Sequence, residues 1–163
     1  MSDTEIALNQ YLTFTLDEEQ YALKVSRVRE VLEFTTVTKV PKTQEFMRGV
    51  INLRGNVVPV VDLRLKFDLP ETRKTVDTSI IVMEIMMQDE MITLGVLADS
   101  VQEVIDLQED SIEPPPKIGN RINAEFIEGI GKQNDHFIII LNIDKIFSYE
   151  ELSAVNTRSE ENE

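Results

Sequence analysis

The chain carries the same pattern twice, and this internal repeat limits the folds that it can adopt. Residues 28–32 recur 73 positions later as residues 101–105, and residues 46–50 recur 80 positions later as residues 126–130. The second copy is therefore seven residues longer between the two blocks. Two similar units fused in tandem are the simplest arrangement that such a repeat predicts.

The two copies differ mainly at a bend in each unit. Residues 52–56 read Asn-Leu-Arg-Gly-Asn, whereas residues 132–136 read Lys-Gln-Asn-Asp-His. The apolar positions around the bends match, and the exposed positions diverge. Because units built alike need the same core but not the same surface, the divergence indicates that the exposed residues of one bend serve a function.

Short apolar segments separated by polar turns predict a mostly β fold. Residues 11–16 nearly alternate between apolar and polar, and they form an expected hairpin with residues 21–23. Residues 80–86 and 92–97 form its counterpart in the second copy. Short strands at this spacing are typical of barrels or sandwiches.

Glycine and proline mark the expected turns. Gly55 begins a turn before a buried strand, and Pro59 is expected at an edge or a bulge because proline has no backbone N–H. Gly49 and Gly129 occupy matching positions, so we expect a shared backbone role, either a positive φ or a close approach of another segment. Helix is scarce in the predicted fold. Ser148 and the residue three positions later have the spacing of a capping box, which predicts a short C-terminal helix.

Composition excludes several classes of function. With 16 basic and 30 acidic residues, the net charge of −14 disfavours nucleic acid and anionic membrane as partners. The chain has no cysteine, so it has no thiol nucleophile, and it fits a reducing compartment. We find no secretory signal and no apolar stretch long enough to cross a bilayer, so we expect a cytoplasmic protein without direct membrane insertion.

The sequence offers no constellation for catalysis. The single histidine, His136, falls at a predicted turn, where a solvated role is the simpler interpretation. No nucleotide-binding or nucleophile motif is present. We therefore expect no catalytic residues, no metal, no cofactor and no enzymatic activity.

Arg54 is the first candidate for a binding residue. At a tight bend its guanidinium should point outward, where it suits a carboxylate or a carbonyl of a partner, although a solvated arginine is an equal alternative. Glu30 is retained as Glu103 in the second copy, so a structural hydrogen bond competes with a docking role. Val28 and Val31 fit the core better than a contact surface, but one strand could serve both purposes.

A set of residues in the first copy resembles the signature of the CheW family of bacterial chemotaxis coupling proteins, and the resemblance covers most of the chain. These residues are Pro41, Phe46, Gly49, Asn52, Leu53, Arg54, Gly55, Pro59, Asp62, Leu63 and Arg64. The resemblance implies two tandem five-stranded SH3-like β-barrels with a hydrophobic groove between them.

The resemblance also implies how the chain divides into a domain, two barrels and two tails. We expect one CheW-like domain over residues 8–150, with a first barrel over about 20–78 and a second over about 79–147. Residues 1–7 and 153–163 are expected to be disordered tails.

The resemblance also implies a function. CheW-like proteins couple methyl-accepting chemoreceptors to the histidine kinase CheA, by binding the receptor's cytoplasmic tip and the regulatory domain of the kinase, and such contacts can join CheW-like domains into rings. By analogy, Val28, Glu30 and Val31 lie near a partner surface, and Arg54 matches an arginine associated with coupling. Two alternatives stay open: a generic scaffold in another two-component pathway, and a β-barrel that binds a small ligand.

Overall fold

The fold consists of two β-sheets with very little helix. The computed structural model describes residues 10–115, 124–148 and 151–152. One sheet has five strands and the other has six. The expectation of a mostly β protein with two small barrels is confirmed.

The strands and helices are short and closely connected. In chain order the strands are β1 (Gln10–Leu16), β2 (Glu19–Lys24), β3 (Val28–Glu33), β4 (Met47–Leu53), β5 (Asn56–Asp62), β6 (Ser79–Met87), β7 (Glu90–Ala98), β8 (Ser100–Asp106), β9 (Ile112–Glu113), β10 (Ile127–Gln133) and β11 (His136–Leu141). The helices α1 (Leu63–Lys66) and α2 (Ile143–Ile146) follow β5 and β11. In the described part of the chain, none of the helices has the length and apolar character needed to span a membrane.

The two repeats exchange their first hairpins. The five-stranded sheet, in the order β3-β6-β7-β5-β4, combines strands of the first repeat with the β6–β7 hairpin of the second. The six-stranded sheet, in the order β8-β1-β2-β11-β10-β9, combines strands of the second repeat with the β1–β2 hairpin of the first. We call the five-stranded sheet the first barrel and the six-stranded sheet the second barrel.

This exchange corrects the predicted division of the chain. The sequence predicts a first barrel over residues 20–78, but the strands of that barrel lie between residues 28 and 98. The second barrel is built from residues 10–24 together with residues 100–141 and has a sixth strand, the two-residue β9. The boundary between repeats is thus not a boundary between barrels.

The reason for the exchange lies in two very short connections. Only the 3₁₀ turn Val25–Arg27 separates β2 from β3, and only Asp99 separates β7 from β8. At each connection the chain continues into the neighbouring sheet, as strands do at the corners of packed sheets. Each hairpin is then fixed in its new sheet by parallel pairing, of β2 with β11 and of β5 with β7.

Four two-residue turns join the hairpins, and all have the same geometry. Both central residues have positive φ in every case, which is the mark of type I′ turns. The pairs are Asp17 (51°) with Glu18 (70°), Arg54 (51°) with Gly55 (87°), Gln88 (47°) with Asp89 (63°), and Asn134 (49°) with Asp135 (67°). All four turns lie at or within one residue of the predicted positions, because Asp, Asn and Gly tolerate this conformation.

Three hydrophobic clusters fill the structure. One cluster, which includes Ile51, Val58 and Val82, lies within the first barrel, and another, which includes Ile105 and Ile138, lies within the second. The largest cluster of the described residues contains side chains of both sheets and joins the barrels. Successive residues of one strand pack into different clusters, because side chains alternate between the two faces of a sheet.

The capping box at the C-terminal end is formed. Ser148 donates its backbone N–H to the Glu151 carboxylate at 2.8 Å, and the Glu151 N–H donates to Oγ of Ser148 at 3.1 Å. Glu151 and Leu152 are helical, whereas residues 149–150 lie outside the described part. The predicted tails, residues 1–7 and 153–163, also lie outside it.

Candidate partner-binding surface

Arg54 and Glu30, two candidates chosen from the sequence, form an ion pair. The guanidinium of Arg54 contacts both carboxylate oxygens of Glu30, with Nη1 3.5 Å from Oε2. The Arg54 side chain is 67% exposed and that of Glu30 is 29% exposed. Both groups therefore remain open to a partner while each holds the other in a defined orientation.

Local structure explains why this pair forms. Arg54 occupies the first central position of the turn between β4 and β5, and the Gly55 N–H donates to Oδ1 of Asn52 at 2.8 Å. Glu30 lies on β3, where the register with β6 shifts between Val28 and Glu30. Because β3 and β4 are the two edge strands of the five-stranded sheet, the ion pair joins its edges.

Two exposed valines flank the ion pair along the chain. Val31 on β3 is 42% exposed and Val57 on β5 is 68% exposed. We call Glu30, Val31, Arg54 and Val57 the first-barrel rim. Val28 is not part of it, because its side chain is partly buried against the largest cluster. The rim thus combines exposed apolar side chains with an exposed arginine, a residue type that is enriched in protein interfaces.

Gly49 allows another segment to approach the sheet. It adopts a φ of +143°, and a Cβ at this position would lie 2.1 Å from the carbonyl oxygen of Thr38. Thr38 pairs with Val50 through hydrogen bonds of 2.8 and 2.9 Å. Gly129 has the same function in the second barrel, since its Cβ would lie 2.6 Å from Cγ2 of Ile112 in β9.

Gly55 and Pro59 occupy simpler positions. A Cβ on Gly55 would meet no atom within 4 Å, so glycine is favoured here by the φ of +87° and not by a close contact. Pro59 belongs to β5, which is an interior strand rather than an edge. Pairing of β5 with β7 begins only at Val60, so proline interrupts no part of that parallel ladder.

Sequence analysis did not select the exposed residues of the second barrel. Phe137 is 64% exposed and Val104 is 52% exposed. They are the repeat counterparts of Val57 and Val31, so alignment of the copies could have found them. Both barrels thus expose an apolar pair at equivalent places, but the first alone adds the Arg54–Glu30 ion pair.

A buried carboxylate was also not selected as a charged centre. Asp62 is fully buried, and its carboxylate accepts hydrogen bonds from the backbone N–H of Arg64 and from the N–H and hydroxyl of Thr72. Arg48 contributes the counter-charge, with Nη1 3.0 Å from Oδ2 of Asp62. This network fixes the connection between the repeats to the first barrel.

A partly buried ionic contact joins α1 to the C-terminal turn. Nζ of Lys66 is 2.8 Å from Glu151 and lies over the rings of Phe46 and Phe147, at 4.7 and 5.6 Å from their centroids. Burial alone raises the pKa of Glu151, but hydrogen bonds from Lys66 and from the Ser148 N–H outweigh it and lower the pKa. The contact attaches the C-terminal turn to the barrels.

The fold defines a module of two fused β-barrels, with the first-barrel rim exposed on one of them. Comparison with known proteins agrees with this description. A family model described as "CheW-like domain" matches residues 10–151. The chain belongs to this family.

Individual relatives are similar over most of their length. The chain is 31% identical over 147 residues to "Chemotaxis protein CheW" of Klebsiella aerogenes, covering 90% of this chain and 86% of that protein. It is 34% identical over 137 residues to the protein of the same name from Helicobacter pylori, covering 84% and 80% of the two chains. The crystal structure of the scaffolding protein TtCheW from Thermoanaerobacter tengcongensis superposes with a TM-score of 0.78 at 39% identity, covering 88% of this chain and 90% of that one.

Proposed function

We propose that this protein is a chemotaxis adaptor that couples methyl-accepting chemoreceptors to the histidine kinase CheA by non-covalent binding. Membership of the CheW-like family and the names of the relatives support this function. The structural observation that carries it is the first-barrel rim, in which Glu30 holds an exposed arginine and exposed valines occur nearby in the chain on β3 and β5.

The rim suits recognition of an acidic or carbonyl-rich partner surface. The guanidinium of Arg54 presents several donors in one plane, and Glu30 engages only part of them. A partner carboxylate can therefore bind the same guanidinium without breaking the internal pair. Val31 and Val57 add apolar area that is removed from water on binding.

Coupling needs two surfaces, and the tandem fold offers a second one. Val104 and Phe137 lie on the second barrel at positions equivalent to Val31 and Val57. We propose that one barrel contacts the regulatory domain of the kinase, that the receptor tip binds beside β3, and that further CheW-like domains join such contacts into rings. A groove between the barrels for the receptor stays a prediction.

This mechanism uses binding alone. An adaptor influences its partners only through its different affinities for their states, so holding receptor and kinase together lets one bias the other. Interfaces near or below about 1,000 Å² suit reversible contacts that gain strength from many copies.

The small-ligand alternative lacks a suitable space in the described part of the chain. Both barrel interiors are filled by hydrophobic clusters. One cavity near Asn142 has a volume of about 60 Å³, whereas ligand pockets typically measure about 300–1,000 Å³. A generic CheW-like scaffold in another pathway differs only in its partners, so the binding experiment must distinguish it.

The test measures binding of the full chain to the kinase regulatory domain and to a receptor cytoplasmic fragment, separately and together. We expect each to bind and the three proteins to form one complex in size-exclusion chromatography. Binding of neither partner would overturn the proposal. Binding of a different kinase and receptor pair would instead favour the generic scaffold.

A further inference from the structure

The β6–β7 hairpin is longer than its counterpart in the first repeat. Its strands have nine residues each, whereas β1 has seven and β2 has six. Pairing of β3 with β6 ends at Met83, and pairing of β5 with β7 begins at Gly95. In the described part of the chain, the far end of this hairpin therefore pairs only with itself. We call residues 86–91 the hairpin extension.

Two exposed methionines face each other across the hairpin extension. Met86 lies directly opposite Met91, and the two residues are 43% and 49% exposed. Residues that are directly opposite in antiparallel strands have Cβ atoms about 4.5–5.5 Å apart, so the two thioethers are neighbours on one face. The next residue, Met87, points to the other face and is buried in the largest cluster.

The remaining methionines of the described part are protected from solvent. Met47 and Met83 are buried, as Met87 is. Because the chain has no cysteine, its six methionines contain all of its sulfur. An oxidant that attacks sulfur therefore meets the thioethers of Met86 and Met91 first among the described residues.

We propose that Met86 and Met91 form a reversible oxidation site, at which a peroxide is the oxidant and a thiol-dependent methionine sulfoxide reductase reverses the reaction. In the forward step a sulfur lone pair attacks one oxygen of hydrogen peroxide, the O–O bond breaks and an S–O bond forms. The other oxygen leaves as water after a proton transfer, so sulfur loses the two electrons that the peroxide gains. In the reverse step two thiols of the reductase supply two electrons and become a disulfide, and the sulfoxide oxygen leaves as water.

The position of the pair explains why the fold tolerates this oxidation. A sulfoxide is polar, so at a core methionine it disrupts the packing of apolar side chains. Met86 and Met91 belong to none of the three hydrophobic clusters of the described residues. Their sulfoxide oxygens would remain in water, and the core would stay apolar. The reaction can then be reversed on the folded protein.

Oxidation should nevertheless loosen the hairpin extension. A directly opposite apolar pair stabilises two antiparallel strands, and two polar sulfoxides would replace it. The backbone N–H of Met86 donates to Oδ1 of Asp144 at 2.9 Å, and Asp144 also pairs with Arg27 at the passage between β2 and β3. We therefore expect the hydrogen bond from Met86 to Asp144 to open more often in the oxidised protein.

The first experiment treats the folded full-length protein with hydrogen peroxide and follows each methionine by fragmentation mass spectrometry. We expect sulfoxide to form at Met86 and Met91 at least about tenfold faster than at Met47, Met83 and Met87. In urea all five should react at similar rates, because the protection comes from the fold. A rate at Met86 or Met91 as slow as that of the buried methionines would overturn the proposal. So would sulfoxides that a sulfoxide reductase with dithiothreitol does not remove from the folded protein.

Hydrogen exchange and two matched variants test the local consequence. After peroxide treatment, protection of the Met86 amide should fall by about two- to fivefold, whereas the Asp62 amide, which donates to the carbonyl oxygen of Phe46, should be unchanged. The double variant Met86→Leu with Met91→Leu should show neither the fast oxidation nor the loss of protection. Met83→Leu, at a buried position of the same strand, should retain both. No loss in the oxidised parent, or an equal loss in the double variant, would overturn the proposed role of the two thioethers.

Discussion

Arg64 donates a hydrogen bond from Nη1 to Oδ2 of Asp99 at 2.7 Å. Asp99 is the residue at which the chain passes from β7 in one sheet to β8 in the other. The second passage, between β2 and β3, is held by an ion pair of 2.5 Å between Arg27 and Asp144 of α2, with the charges reversed. Each short helix thus fixes one of the two points at which the repeats exchange hairpins.

Replacing Arg64 by alanine should destabilise the fold. The side chain is 14% exposed and binds Asp99 and the carbonyl oxygen of Pro70. Since hydrogen bonds to charged groups contribute about 1.5–3 kcal/mol each, we expect the free energy of unfolding to fall by about 2 kcal/mol or more. Chemical denaturation measures this. Arg29→Ala, which removes a 53% exposed partner of Glu84, should change the value by less than about 1 kcal/mol. Equal losses in both variants would contradict a role in the crossover.

Arg54→Glu should weaken partner binding while the fold stays intact. The side chain is 67% exposed, and exposed ion pairs contribute only about 0–1 kcal/mol to stability. The reversed charge lies at the centre of the first-barrel rim, so we expect a loss of affinity for the kinase domain or the receptor fragment in a binding titration. A large drop in melting temperature would instead make Arg54 structural.

A charge exchange separates the internal ion pair of Arg54 with Glu30 from its proposed contact with a partner. The double variant Arg54→Glu with Glu30→Arg should restore the internal ion pair, but it should not restore an interaction that needs a guanidinium at the turn. For the single variant Arg54→Glu, Lys39→Glu is the control, because it makes the same change in net charge at another exposed position. Full recovery of affinity in the double variant would show that the partner does not contact Arg54 itself.

Gly49→Val should disrupt folding. The new Cβ would lie 2.1 Å from the carbonyl oxygen of Thr38, at a φ of +143° that valine does not tolerate. We expect a loss of about 3 kcal/mol or more in unfolding free energy. Gly55→Ala is the matched control, because it strains φ alone and meets no atom within 4 Å, so a smaller loss of about 1 kcal/mol is expected. Wild-type stability of Gly49→Val would refute the close approach.

Removal of residues 153–163 should leave partner affinity unchanged at physiological salt. The first-barrel rim lies on β3 and on the β4–β5 hairpin, far along the chain from this segment. A binding titration of the shortened chain against kinase and receptor fragments measures the effect. A marked loss of affinity would place the segment in a partner interface.

Acid should release the C-terminal turn. The pKa of Glu151 is lowered from its ordinary value of 4.5 in the folded protein, because the bonds from Lys66 and Ser148 outweigh the effect of burial. The stabilisation is therefore present above that value and is lost as the pH falls through the lowered pKa. The protection factor of the Leu152 amide, which is its exchange rate corrected for the intrinsic pH dependence, should fall in that range. In Glu151→Gln the exchange should already be faster at neutral pH and should lack this step, and an unchanged step would contradict the assignment.

Local features of the fold could be predicted from the sequence. The hairpin turns, the strands and the capping box depend on residues that are close in the chain, and Asp17, Asn134 and Gly55 allow the positive φ that type I′ turns need. The repeat alone also predicts that Gly49 and Gly129 occupy equivalent positions.

The assignment of strands to barrels could not be predicted in this way. Two copies of a hairpin with the same apolar pattern fit either sheet equally well, so the pattern carries no information about which sheet is chosen. The choice depends on the short connections at Val25–Arg27 and Asp99, and on the parallel pairing that they permit. The predicted boundary near residue 78 followed the repeat for this reason.

The sequence by itself determined two similar β units, their turns and an exposed arginine at one bend. Only the tertiary structure decided that Arg54 meets Glu30 and that Asp62 is buried with Thr72. The physical reason is that φ and the alternation of side chains are set by neighbours along the chain. Contacts between residues 10 or more positions apart, as for Asp62 with Thr72 and Arg54 with Glu30, depend on how complete sheets and their connections pack.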